Sequence, residues 1–240
     1  MMNSLYMLVL ALDTCDSNGS VAILRDGTVM QSIAHTSGEG YSSWLLPSVE
    51  RLLAAASAKL ADIDLFSVAT GPGSFTGVRL GLTTVKAWGE VFGKPIAGMS
   101  RLEVLANEDQ GDCGIVGAVL DAQRGQIFAA VYKRGPKGLI LVGQESVTTA
   151  ADFLAYVSEE SGLGRVAWVG TGAQLLEHEP LWHERVARGE SISAVSAELA
   201  PLIGKLGMRK AQQGQVHDAL SLDANYVRRS YVETAAKPST

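Results

Sequence analysis

Cysteine is scarce in this sequence: Cys15 and Cys113 are the only two among 240 residues. They lie far apart and form no C-x-x-C pair, so the sequence supports neither a disulfide framework nor a cysteine zinc site. Two isolated cysteines are typical of a protein kept in a reducing compartment, and we expect a cytoplasmic location.

A basic excess is also missing. The chain has 20 Lys and Arg against 25 Asp and Glu, which gives a net charge of −5. Binding to nucleic acid draws much of its affinity from Lys and Arg side chains on phosphates. The protein is therefore not expected to bind RNA or DNA unaided.

Long hydrophobic runs are lacking as well. The apolar stretch Tyr6–Leu12 has seven residues, no basic leader, and runs into Asp13. A membrane-spanning helix needs about 20 apolar residues, and a signal peptide begins with a positively charged region. The stretch instead predicts a first β-strand, and we expect no contact with a membrane.

Histidine is present only as His35, His178, His183 and His217. No two of them are spaced H-x-x-x-H, and H-E-x-x-H is missing, so the usual helical zinc pair is excluded. His178 and His183 are five residues apart with Pro180 between them, which spoils a shared helical face. The sequence predicts no metal site and no cofactor.

One stretch organises the chain: a strand at Leu65–Thr70, a glycine turn at Gly71–Ser74 and a helix at Phe75–Phe92. The turn is neither a Walker A loop nor a G-x-S-x-G nucleophile elbow, because the required Lys and Gly are missing. Two interpretations stay open: a tight turn capped by Ser74, or an anion held by the amides of the helix N-terminus.

The helix at Phe75–Phe92 has an apolar face formed by Val78, Leu82 and Val85. Beside that face lies a small-residue groove, formed by Gly77, Gly81, Thr84 and Trp88. Glycine in a helix costs about 1 kcal/mol relative to alanine. The close approach of a second helix is the simplest gain that offsets this cost, although a plain core role also remains open.

The other elements follow from periodicity and turn signals. Strands are predicted at 6–13, 20–25, 28–35, 95–99, 115–121, 126–133, 139–146 and 165–170, and helices at about 41–58, 101–107, 150–160, 173–179 and 192–213. The helix at 173–179 is short and is expected to break at Pro180. An irregular tail follows from Val216.

The order of elements repeats. A strand ending in Asp13 precedes Gly71 by 58 residues, and a strand ending in Asp121 precedes Gly172 by 51. This predicts an α/β protein of two duplicated domains, each with a mixed β-sheet flanked by helices, as in the actin-like (ASKHA) fold. The predicted domains are 1–108 with a C-terminal helix at about 195–214, and a degraded second copy at 109–194, followed by a tail at 215–240.

Several segments together resemble the bacterial TsaB family: LALDTCDSNGSVAIL, LLPSVERLLA, ATGPGSFTGVRLGLTTVKAWGEVFGKPIAGMSRLEVLA, VLDAQRGQIFAAVY, VGTGAQ and DANYVR. The resemblance implies a non-catalytic scaffold that binds the TsaD transferase. It also implies that the protein acts together with the ATPase TsaE in the synthesis of threonylcarbamoyladenosine at position 37 of tRNA. Contact with tRNA is then expected only through the complex. A homodimer is possible without TsaD.

The interface with TsaD is expected on two helices, because helices with apolar residues on more than one face cannot bury them all against one sheet. Its predicted residues are Tyr41, Trp44, Leu45, Phe75, Gly77, Gly81, Thr84 and Trp88. A vestigial nucleotide cleft is expected at Asp13, Thr14, Gly71, Gly73, Ser74 and Asp121, because Asp16 adds a second carboxylate where a phosphate-binding hairpin has small residues. An actin-like ATP-dependent kinase is the alternative function, and a metalloprotease is the weaker one.

Overall fold

The computed structural model describes residues 6–35, 38, 40–136, 138–159 and 164–227. The strands are β1 Leu8–Asp13, β2 Ser20–Arg25, β3 Thr28–Ala34, β4 Leu65–Ala69, β5 Ile96–Met99, β6 Ile115–Gln123, β7 Gln126–Gly135, β8 Gly138–Thr148, β9 Val166–Val169 and β10 Ile192–Ser193. The α-helices are α1 Tyr41–Ala55, α2 Phe75–Phe92, α3 Arg101–Glu108, α4 Ala150–Glu159, α5 Pro180–Ala187 and α6 Ala200–Gln212.

The chain divides into two compact units. The first unit holds residues 1–104 and 196–225, and the second holds 105–195 and 226–240. The tail predicted from residue 215 is described only as far as residue 227. No helix in the described ranges is long and apolar enough to cross a membrane.

The first unit is built on a sheet of order β3-β2-β1-β4-β5. β1 pairs antiparallel with β2 and parallel with β4, and β4 pairs parallel with β5. Every residue of β1 and β4 is buried, as expected for central strands that are covered on both faces. The carboxyl ends of β1, β4 and β5 therefore meet at one edge of this sheet.

The second unit repeats this layout, with a sheet of order β8-β7-β6-β9-β10. β6 pairs antiparallel with β7 and parallel with β9, so it takes the central place that β1 has in the first sheet. The strands that carry Asp13 and Asp121 are therefore equivalent, although β6 extends two residues beyond Asp121, and this confirms the duplicated, actin-like α/β fold.

Helices α1, α2 and α6 pack on the first sheet. α1 buries Trp44, Leu45, Val49 and Leu52. α6 lies close to the strands, because Gly204 faces Leu24 and Gly207 faces Ser67; a Cβ on Gly207 would overlap the Ser67 side chain. These two glycines explain why a helix from the end of the chain belongs to the first unit.

One helix was predicted to begin too early. The helix predicted at 192–213 begins only at Ala200, and Ile192–Ser193 instead forms β10 beside β9. The short helix predicted at 173–179 does end before Pro180, as a 3-10 helix at 173–178, but Pro180 then begins α5, which the sequence analysis did not predict. Proline lacks an N–H and has a fixed φ, so the first turn of a helix suits it.

Two fully buried serines of the first sheet differ in their partners. The Ser20 hydroxyl accepts a hydrogen bond from the amide of Ala200 at 3.0 Å, which satisfies the first N–H of α6. The Ser67 hydroxyl has no hydrogen-bond partner among the described residues. A buried polar group without a partner is destabilising.

We therefore expect opposite effects from two matched substitutions. Ser20→Ala should lower the free energy of unfolding by about 1–3 kcal/mol, because a buried amide loses its acceptor. Ser67→Ala should leave it unchanged or raise it. Urea unfolding followed by tryptophan fluorescence measures both, and a clear loss for Ser67→Ala would contradict the assignment.

Candidate functional site

Two acidic residues, Asp13 and Asp16, lie where β1 ends and the chain turns toward β2, a segment that we call the acidic turn. Asp13 is fully buried, and its Oδ1 accepts the amide of Cys15 at 2.9 Å. Asp16 Oδ1 accepts the amide of Asn18 at 2.8 Å. One oxygen of each carboxylate is thus used to shape the turn, which leaves Oδ2 of each for another partner.

Both remaining oxygens bind the same guanidinium. Arg101 begins α3, and its Nε donates to Asp13 Oδ2 at 3.0 Å while its Nη2 donates to Asp16 Oδ2 at 2.6 Å. The Arg101 side chain is 4% exposed. Burial alone would lower the pKa of Arg101, but the Asp13 and Asp16 carboxylates outweigh burial and raise it, so the cation is permanent.

Arg101 also joins the turn to the glycine loop, because its backbone amide donates to the Gly71 carbonyl at 2.7 Å. The sequence analysis missed this residue. A usable signal existed: Asp13 ends β1, Gly71 lies two residues after β4, and Arg101 lies two residues after β5. Adjacent parallel strands bring such residues to one edge, where sites in α/β sheets are found.

The glycine loop packs directly onto the acidic turn. The Ser74 amide donates to the Cys15 carbonyl at 2.5 Å, and the Thr14 hydroxyl donates to the Gly77 carbonyl at 2.7 Å. A Cβ on Gly73 would overlap the carbonyl of Cys15, and a Cβ on Gly77 that of Thr14. The glycines are therefore required by contact with the chain's own backbone.

This contact corrects the prediction of an open groove on α2. Gly77 and Gly81 are buried, and a Cβ on Gly81 would lie 2.6 Å from the Thr14 hydroxyl oxygen. Trp88 is half-buried against Phe66, with ring centroids 5.5 Å apart. Gly77 and Gly81 therefore face the interior of the first unit and cannot receive a partner helix, whereas Thr84 and Trp88 stay half-buried.

The predicted N-cap of α2 is confirmed, since the Ser74 hydroxyl accepts the amide of Gly77 at 3.4 Å. The Ser74 amide itself is engaged by Cys15. An anion at this helix N-terminus would have to compete with these internal acceptors. Of the two interpretations of the loop, the capped tight turn is the one that the bonding supports.

Aromatic residues close the other side of the turn. The Tyr41 hydroxyl donates to the Asp16 carbonyl, and its ring stacks on His35 with centroids 4.1 Å apart. Trp44 meets both rings edge-on. Burial, assisted by the Asp13 charge, raises the pKa of Tyr41, so its hydroxyl remains a donor.

The prediction that Trp44 and Leu45 belong to the partner interface is also corrected. Trp44 and Leu45 are buried within the first unit and do not form a surface, since the apolar face of α1 packs on β2 and β3.

Cys15 is also fully buried, and burial together with the Asp13 charge raises the pKa of its thiol. The neutral thiol is unsuited to nucleophilic chemistry.

Asp121 belongs to the second unit, whereas the other residues assigned to the cleft belong to the first. Its Oδ1 accepts the backbone amide of Gln123 at 2.6 Å, and its Oδ2 accepts Gln123 Nε2 at 3.0 Å. The glycine loop of this unit also packs on its own strand, since the Gly172 amide donates to the Val119 carbonyl at 3.1 Å. Unlike Asp13, Asp121 is exposed.

Several side chains of α1 and α2 remain outside the core, and we call this set the α1/α2 face. It consists of Leu46, Leu53, Phe75, Leu80, Thr84, Trp88 and Val91, all exposed or half-buried. Leu46 is 53% exposed and Val91 73% exposed. The Arg79 guanidinium lies 3.7 Å from the Phe75 ring centre, a cation–π contact at its edge.

Metal chemistry finds no support in the described ranges, which contain no group of three or more His, Cys, Asp or Glu side chains able to hold an ion. His178 ends the 3-10 helix at 173–178, and His183 lies in α5. The two histidines are therefore on separate helices, as the spacing and Pro180 predict.

Comparison with known proteins gives consistent matches. A family model described as TsaD, tRNA N6-adenosine threonylcarbamoyltransferase, matches residues 32–177. The tRNA threonylcarbamoyladenosine biosynthesis protein TsaB of Bacillus subtilis is 30% identical over 193 residues, 72% of this chain and 83% of that protein. The Escherichia coli protein of the same name is 32% identical over 170 residues, 70% of this chain and 73% of that protein.

Solved structures agree with these matches. The crystal structure of a Pseudomonas aeruginosa protein, described as similar to peptidase YeaZ, superposes with a TM-score of 0.74 at 26% identity. The match covers 92% of this chain and 100% of the other. A structure of YeaZ from the same organism gives a TM-score of 0.74 at 25% identity, with 92% and 99% covered.

Arg101→Ala should strongly destabilise the first unit. Removing one partner of a buried ion pair leaves an uncompensated charge and typically costs about 3–5 kcal/mol. Asp16→Asn should cost less, because its side chain is 30% exposed and the amide oxygen can still accept from Asn18.

Urea unfolding of both variants provides the measurement. Arg188→Ala, which breaks only an exposed pair with Glu184, is the control and should leave the midpoint nearly unchanged. An Arg101→Ala variant as stable as this control would show that solvent reaches the acidic turn.

Proposed function

Because the chain belongs to the TsaB family, we propose that it serves as a non-catalytic subunit in the biosynthesis of N6-threonylcarbamoyladenosine at position 37 of tRNA. In this role it binds the TsaD transferase and works beside the ATPase TsaE in the cytoplasm. It meets tRNA only within the complex, and two copies associate when TsaD is absent.

The observation that carries the non-catalytic role is the engagement of Asp13 and Asp16 by Arg101. A carboxylate that serves a Mg²⁺–nucleotide must offer oxygens to the ion or to its waters. Here Oδ2 of both residues is bound to a guanidinium, and Oδ1 of both is bound to backbone amides. Each of these four carboxylate oxygens already accepts an internal hydrogen bond, so a metal ion would have to compete with the Arg101 guanidinium and the backbone amides.

The same observation weighs against the alternative of an actin-like kinase. A kinase of this fold needs a phosphate-binding hairpin and an available acidic group. In the first unit the hairpin is filled by contacts between Thr14, Cys15 and the glycine loop. A metalloprotease would need a ligand cluster, and the described residues contain none.

The partner surface that we propose is the α1/α2 face. The predicted interface residues Phe75, Thr84 and Trp88 belong to it, whereas Trp44, Leu45, Gly77 and Gly81 support it from inside the fold. Tyr41 is half-buried and holds the acidic turn. Interfaces take most of their energy from a few large apolar or aromatic residues in a desolvated centre, which Trp88, Phe75 and Leu46 can supply.

A matched pair of valines tests this surface. Val91→Glu places a charge on the α1/α2 face and should weaken binding to TsaD about tenfold or more, equivalent to roughly 1.4 kcal/mol. Val186→Glu introduces the same charge on α5 of the second unit, where valine is also exposed, and should bind normally. Titration calorimetry against purified TsaD measures both affinities.

Equal affinity of Val91→Glu and wild type would move the interface elsewhere. Gly81→Leu is a useful third variant, because its side chain would collide with Thr14. It should lower the melting temperature of the isolated protein, and a normal melt would contradict the buried groove.

The isolated protein should not hydrolyse ATP. Phosphate release in the presence of Mg²⁺ and ATP should equal the rate without protein. Asp121→Asn is the appropriate probe, because Asp121 is exposed and its loss should leave the fold intact. Turnover in the wild type that disappears in Asp121→Asn would reveal a catalyst.

A further inference from the structure

The segment that follows α6 returns to the first unit and ends beside the glycine loop. Residues 215–225, which we call the strap, run from the end of α6 to Asn225. His217 forms two backbone hydrogen bonds with Ile96, at 2.8 and 2.9 Å, on the free edge of β5. Beyond His217, the Asp218 carboxylate accepts the amide and hydroxyl of Ser221, each at 2.7 Å, which turns the chain back.

Leu222 is the anchor of the strap. It is 2% exposed, and a Cβ on Gly98 would lie 2.5 Å from its Cδ1 and 2.9 Å from Thr70 Cγ2. The absence of a side chain at Gly98 therefore makes room for Leu222. Leu222 alone among the eleven residues of the strap is buried, so one side chain carries most of its apolar contact.

Two polar contacts join the strap to α2 and to the loop that precedes it. Lys86, on α2, donates from Nζ to the Leu222 carbonyl at 2.8 Å. The Asn225 amide donates to the Thr70 carbonyl at 2.8 Å, and a Cβ on Gly71 would lie 2.9 Å from the Asn225 carbonyl oxygen. The strap thus holds both the helix itself and its entry loop.

From these contacts we propose that the strap fixes the position of α2 and thereby controls partner binding by the α1/α2 face, an inference that rests on the proposed function. A segment with one buried side chain and mostly exposed residues opens at a lower free energy than the core sheet does. When the strap opens, the hydrogen bond from Lys86 of α2 to the Leu222 carbonyl is lost, and so is the bond from the Asn225 amide to the Thr70 carbonyl. Part of the free energy of partner binding at the α1/α2 face must then be used to dock the strap again.

Leu222→Ala and Leu220→Ala form a matched pair for the test. Leu220 lies two residues away in the same strap and is 88% exposed, so its truncation should change nothing. Leu222→Ala should raise hydrogen–deuterium exchange rates of α2 amides about tenfold or more, because the anchor of the strap is lost. The amides of β1 serve as the internal standard for an intact core.

Affinity for TsaD supplies the second readout. Leu222→Ala should weaken binding about tenfold or more, and Leu220→Ala should match wild type. Lys86→Met, which keeps an apolar stem but removes the bond to the Leu222 carbonyl, should show the same direction in both measurements. This variant keeps the test valid if Leu222→Ala fails to fold.

The outcomes separate this inference from the proposed function. Binding by the wild type with unchanged binding by Leu222→Ala and Lys86→Met would overturn control by the strap and leave the proposed function standing. Unchanged exchange in α2 for both variants would overturn the hold of the strap on that helix. Lack of binding by the wild type would overturn the proposed function, and the coupling with it.

Discussion

The buried ion pairs of Arg101 are the constraint on which the first unit depends. Asp13 lies at the end of a central strand with no exposure to solvent, and a buried carboxylate is costly unless it is paired. Arg101 provides that pairing, and its backbone amide simultaneously fixes Gly71. The acidic turn, the glycine loop and the start of α3 are therefore held at one edge of the sheet by one residue.

That constraint also explains why the acidic turn is closed by the chain's own backbone. The turn must approach α2 closely for Thr14 to reach Gly77 and for Ser74 to reach Cys15, and glycine at 73, 77 and 81 permits the approach. The cost of Gly77 and Gly81 to the stability of α2 is offset by the contacts that they permit inside the unit. The apolar residues that α2 leaves outside, such as Val91, are then available for a partner.

The sequence was sufficient for the element order and for the duplicated layout, because alternating β and α periods and Asp-ended strands are local patterns. It was insufficient for the direction of the Gly77 and Gly81 groove, since two adjacent helical faces differ only in what lies opposite them. Arg101 was missed for a similar reason: it is 88 residues from Asp13, and only the parallel order of β1, β4 and β5 brings them together. The predicted start of the final helix at residue 192 was too early, because the short strand β10 forms only by pairing with β9, which no local pattern shows.

The two units reach the same architecture with different buried charges. In the second unit Arg185 is buried and pairs with Glu190 at 3.2 Å, and Glu190 also accepts the indole N–H of Trp168 at 2.7 Å. This network ties α5 to β9 and, through Ser158, to α4. In the first unit the buried arginine instead closes the acidic turn.

Buried ion pairs contribute little net stability compared with apolar packing, but breaking one is costly. Each unit therefore tolerates few alternative arrangements at the place where its arginine lies. In the first unit that place is the edge of the sheet where β1, β4 and β5 end, and in the second unit it is the junction of α5 with β9. The two copies of the fold thus differ in the charges at equivalent positions: Asp13 is buried and paired with Arg101, whereas Asp121 is exposed and bonded to Gln123.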